Sequence, residues 1–87
     1  MMARPALTPA DLERGRRLGA ALRQARGTRS VLEVATASRL SPETVRKVEG
    51  GQVATPAFST VAALAGVLGV SLDVLWEQVG GPTTVRH

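Results

Sequence analysis

The sequence predicts an all-α fold of five short helices around one core. Three observations carry that reading. Start signals, a Ser or Thr cap followed by Pro or an acid, recur along the chain at Thr8, Ser30, Ser41, Thr55 and Ser71. Glycines close most of the segments between them. Apolar residues recur at three- and four-residue spacings, with no stretch alternating at period two as a strand would.

The first helix opens at Thr8-Pro9-Ala10-Asp11, where Thr8 caps, Pro9 fits the first helical position and Asp11 suits the positive end of the helix dipole. It runs to Arg26, with Leu12, Leu18, Leu22 and Ala25 on its apolar side, and Gly27-Thr28-Arg29 ends it. Ser30 with Glu33 forms a capping box that opens a second helix, Val31 to Ser38. Ser41-Pro42-Glu43-Thr44 opens a third, which stops at Gly50-Gly51. Only Arg39 and Leu40 separate the second helix from the third cap, so the two must cross steeply as a helix-turn-helix unit. Thr55-Pro56 is read as the start of a fourth helix ending near Leu68, with Gly69 as its stop. Ser71 caps a fifth, Leu72 to about Val79, broken by Gly80-Gly81-Pro82. The expected organisation is an N-terminal tail 1–8, one domain 9–79 and a C-terminal tail 80–87.

Composition removes most chemistry. With no Cys and with His87 as the sole His, thiolate and imidazole metal sites, catalytic triads and His-based general acids have no residues to build them. No catalytic constellation, cofactor motif or metal site is expected, and the chain is read as a binding protein with no enzyme activity. Residues 1–7 lack the apolar stretch of a secretory signal, and the long uncharged run from Gly50 to Leu72 contains Pro56 and polar residues and is too short in helix to span a bilayer. The expectation is a cytoplasmic protein that does not enter membranes. The net charge of +4 conceals an asymmetry. Residues 1–49 hold ten basic and five acidic side chains, whereas residues 50–87 hold one and two. A basic half suits an anionic partner, and a neutral half suits packing or a protein partner.

From Val34 to Gly51 the sequence resembles the lambda-repressor-like (Cro and Xre type) helix-turn-helix DNA-binding family, and the likeness extends from about Leu18 to Asp73. Small Ala35 sits where that family brings its two helices together. Ser41, Thr44, Val45, Val48 and Glu49 are similar to its recognition-helix pattern, and Pro56 matches the Pro before its fourth helix. The resemblance implies a compact five-helix DNA-binding domain whose third helix enters the major groove of double-stranded DNA. By position, Pro42, Glu43, Arg46 and Lys47 are the base-facing candidates: Arg or Lys reaches guanine O6 and N7, Glu accepts from cytosine N4, and Pro offers only apolar contact. Ser30, Ser41 and Thr44 suit phosphate contacts at helix starts. The loop after Gly51, Gln52 to Thr55, carries no charge, and Val31 replaces a polar family residue, so phosphate anchoring falls to Arg29, Arg39 and the first helix. Arg39 stands where the family has Gly, which drives a non-Gly residue toward positive φ. The resemblance also implies that Glu49 forms a structural ion pair with a first-helix Arg, here matched to Arg23.

Phe58 and Trp76 are the only aromatics, too few for a base-stacking platform. Ala62, Gly66, Trp76 and Val79 form a candidate self-association surface on the neutral half. The functional expectation is a sequence-specific transcriptional regulator, a homodimeric repressor that reads a pseudo-palindromic site. Two rivals differ in class: an antitoxin that holds a toxin through the fourth and fifth helices while binding its operator, and an adaptor that keeps the fold without binding DNA.

Overall fold

The computed structural model describes residues 7–80, which form five α-helices in the order α1 Pro9–Arg26, α2 Val31–Ser38, α3 Pro42–Glu49, α4 Phe58–Leu68 and α5 Leu72–Gln78. Residues 1–6 and 81–87, which make up most of the two expected tails and include His87, lie outside the described residues.

Local chemistry sets the first three boundaries. Thr8 Oγ1 accepts from the Asp11 N–H at 3.1 Å while the Asp11 carboxylate accepts from the Thr8 N–H at 3.0 Å, so the α1 cap is a reciprocal box. Ser30 and Glu33 repeat the arrangement at α2, with both distances 3.0 Å. Ser41 Oγ accepts from the Thr44 N–H at 3.1 Å, and Pro42 occupies the first turn of α3.

The fourth helix begins later than the sequence predicts. Thr55-Pro56 does not open it: Ala57 is the cap residue, with no side-chain hydrogen bond, and Phe58 is the first helical residue. The reason lies in α1. A Cβ added to Gly15 would sit 2.8 Å from Ala54 Cα, so the chain after α3 runs in backbone contact with α1 and turns helical only once past it.

The core is built from all five helices: Leu22 of α1, Val34 and Ala35 of α2, Val45 and Val48 of α3, Leu64 and Ala65 of α4 and Leu75 of α5. α1 is the central element and touches α3, α4 and α5, while α2 bridges α3 and α4. The absence of a side chain at Gly19 brings α1 against the end of α3, because an added Cβ would collide with the carbonyl oxygens of Val48 and Glu49. α3 is thereby held by its C-terminal end and by its buried Val45 and Val48, and its opposite side is left clear.

Candidate nucleic-acid interface

The turn between α2 and α3 positions everything that follows. Arg39 adopts φ 61° and ψ 36°, the left-handed conformation expected at this position, and is the only non-glycine residue with positive φ among those described. Its N–H donates to Thr36 O at 3.2 Å, and the Leu40 N–H donates to Ala35 O at 2.9 Å. This paired closure satisfies the last carbonyls of α2 and aims the chain directly into the Ser41 cap. Buried Ala35 and Ser38 let the two helices approach, and the Ser38 hydroxyl donates back to Val34 O at 2.7 Å.

On α3 the side chains sort by face. Val45 and Val48 are buried, whereas Glu43, Arg46 and Lys47 are exposed and Pro42 is half-buried. The structure therefore brings the four base-facing candidates together along one short helix. Two of them meet: Lys47 Nζ lies 3.4 Å from Glu43 Oε2, one turn apart. Such a pair in water contributes little to stability and opens readily to other partners. Ser41 and Thr44 join hydroxyls at 2.8 Å beside the first turn.

The remaining phosphate candidates are less free than the sequence suggests. Arg29 Nη2 donates to Val67 O at 3.1 Å and so closes the C-terminal end of α4, although the residue remains exposed. The Ser30 hydroxyl oxygen accepts the capping bond from the Glu33 N–H at 3.0 Å and keeps its own O–H to donate. Arg39 is exposed beside α3 with no ion-pair partner among the described residues.

The first-helix arginines divide three ways. Glu13 accepts from Arg16 at 2.9 Å and from Arg17 at 3.0 Å, which offsets part of that patch. Those bonds, Arg16 first and then Arg17, hold the Glu13 carboxyl below the usual range. Asp11 is likewise lowered, first by the Thr8 backbone N–H, with a smaller contribution from Arg14. Arg14 turns away from this patch and stacks on Trp76, its guanidinium carbon 5.5 Å from the ring centre.

Glu49 has a different partner from the one expected. Arg26, not Arg23, holds it in a bidentate pair, with Nε to Oε2 at 2.8 Å and Nη2 to Oε1 at 3.0 Å. Gly19, Leu22 and Arg26 share the face of α1 that meets α3, and Arg23, one residue further round than Leu22, is exposed to solvent. The hydrogen bonding of the guanidinium to the Glu49 carboxylate is the main cause of a raised Arg26 pKa. Arg26 Nη1 also donates to Arg29 O at 2.7 Å, so the same guanidinium fixes the α1–α2 loop.

The self-association candidates are not equivalent. Val79 is buried at 4% exposure and so presents little surface for association. Trp76 is 47% exposed, Gly66 is exposed and Ala62 is half-buried. Sequence reasoning missed Gly15 and Gly19. Their signal was present, since two glycines four residues apart weaken a helix unless a close neighbour requires them.

Among the described residues no single helix is long and apolar enough to cross a membrane. A family model described as a helix-turn-helix domain matches residues 15–77, which spans α1 from the first of the two packing glycines through α5. No curated protein matches the chain.

Proposed function

The chain belongs to the helix-turn-helix domain family, of the lambda-repressor-like kind, and from that premise we propose that it is a sequence-specific DNA-binding regulator of transcription. It acts as a cytoplasmic homodimeric repressor, with residues 9–79 as the DNA-reading unit. It binds its site without catalysing a reaction. The observation that supports this reading best is α3: one face is locked into the core by Val45 and Val48, and the other presents Glu43, Arg46 and Lys47 to solvent as one acceptor and two donors. A row of this kind on a fixed helix suits base edges, since Arg and Lys donate to guanine and Glu accepts from cytosine. Arg39 and the Ser41–Thr44 start of α3 supply phosphate contacts that set the register. Two copies place two such helices about 34 Å apart, one turn of duplex DNA.

Selection of binding sites from random double-stranded DNA, repeated at two salt concentrations, tests the proposal. The expected result is a two-part consensus, with Lys47→Ala relaxing preference at a defined position at a cost of about 1–3 kcal/mol. Enrichment of no sequence, with binding that depends only on salt, overturns it.

A further inference from the structure

The three exposed ionisable side chains of α3 are not equivalent. Measured round the helix from the buried Val45 and Val48, Glu43 lies opposite that seam, with Arg46 on one flank and Lys47 on the other. Only one flank is paired. Lys47 Nζ lies 3.4 Å from Glu43 Oε2, with side-chain exposures of 52% and 74%, whereas Arg46 has no ion-pair partner among the described residues. The acid precedes the lysine by one turn, which is the favourable order for such a pair on a helix. The exposed face of α3 therefore centres on one acceptor and one donor, side by side and without net charge.

That spacing has a counterpart on the edge of a base pair. Across the major groove a G·C pair shows guanine N7 and O6 as acceptors, then the cytosine N4 amino group as a donor. O6 and N4 are hydrogen-bonded to each other, which sets them about 2.9 Å apart. An ammonium and a carboxylate oxygen already 3.4 Å apart cover those two atoms without separating. Lys47 then donates to O6 and N7 while Glu43 accepts from N4. Lys47 also offsets the repulsion between a carboxylate and the phosphates, and the attraction between the two side chains grows as water leaves the contact. The other three pairs match less well. A·T and C·G set a donor against Lys47 and an acceptor against Glu43. T·A keeps the right order but puts the thymine methyl beside Lys47 and the adenine N7 acceptor beside Glu43.

We propose that Glu43 and Lys47 act together as one reader of a single G·C base pair, with guanine under Lys47 and cytosine under Glu43. The inference rests on the DNA reading proposed above and assigns a base pair to two of its residues as a unit. Arg46 lies outside the unit and contacts a different position.

Binding-site selection from random duplex DNA tests it on the full chain, comparing wild type with Glu43→Ala, Lys47→Ala, both together, and the exchange Glu43→Lys with Lys47→Glu. Wild type enriches a G·C pair at one position of its site. Each alanine variant lowers the preference at that position by roughly tenfold and leaves the other positions as they were. The double variant loses no more than either single one, because the two side chains read as a unit. The exchange reverses donor and acceptor along the helix and turns the preferred pair at that position to C·G. Alanine variants that relax different positions, a shared position that is not G·C, losses that add in the double variant, or an exchange that keeps G·C each overturns the proposal. Lys47→Ala that weakens all sequences alike and lowers the salt slope by about one makes Lys47 a phosphate contact and overturns it too. A wild type that enriches no sequence overturns the DNA reading itself, and this inference with it. Circular dichroism checks folding, and if the exchange variant does not fold, the exposed alanine variants decide by the position they relax.

Discussion

Arg26 and Glu49 lie 23 residues apart in sequence and are joined by two parallel hydrogen bonds, from Nε at 2.8 Å and Nη2 at 3.0 Å. Both side chains are largely withdrawn from water, with 17% and 8% exposure. The acid at the end of α3 is thus a structural anchor that ties that end to α1.

Breaking that anchor leaves a partly buried charge without its partner. Arg26→Ala is expected to lower stability by about 2–3 kcal/mol. Arg23→Ala, at an exposed site, is expected to change it by less than about 0.5 kcal/mol. Urea unfolding of the two variants checks the assignment, and equal losses contradict it.

The glycines separate by environment in the same way. Gly19→Ala drives a methyl group into the Val48 and Glu49 carbonyls, which are backbone atoms that cannot rotate aside. It is expected to cost about 1–3 kcal/mol and to displace α3. Gly66→Ala meets nothing within 4 Å and sits in the interior of α4, so it is expected to stabilise by about 0.5–1 kcal/mol. Thermal melts that fail to separate the two remove the proposed role of Gly19.

Arg39→Gly separates stability from binding. At φ 61° an arginine carries strain that glycine does not, so the variant is expected to gain up to about 1 kcal/mol in unfolding free energy. The same variant removes a cation beside α3, and the slope of log affinity for DNA against log salt is expected to fall by about one. A more stable protein with weaker, less salt-sensitive binding is the outcome to look for by paired melting and titration.

Acid should loosen the start of α1. Asp11 and Glu13 both have lowered pKa values in the folded chain, so the stability they contribute is present above the ordinary carboxylate range and is lost as pH falls through their folded values. The melting temperature is expected to drop from about pH 5 towards pH 3. Asp11→Asn combined with Glu13→Gln lowers the melting temperature at neutral pH, and the difference from wild type closes in acid. A constant difference across that range contradicts the assignment.

The five-helix order and the limits of α1, α2 and α3 were readable from the residues, and the family resemblance added the left-handed Arg39. Those features rest on contacts between residues three to five apart. Thr8 with Asp11, Ser30 with Glu33 and Ser41 with Thr44 satisfy their backbone groups wherever the rest of the chain goes. The exposure of Glu43, Arg46 and Lys47 on α3 follows from the same local spacing, since Val45 and Val48 turn inward. The tertiary structure alone decided that Glu49 takes Arg26 rather than Arg23, that α4 waits until Phe58, that Val79 turns inward and that Arg14 leaves the basic patch for Trp76. Each of these depends on the rotational phase of α1 against a distant segment. That phase is set by the close approach at Gly15 and Gly19, where a single methyl group would change which side chains meet.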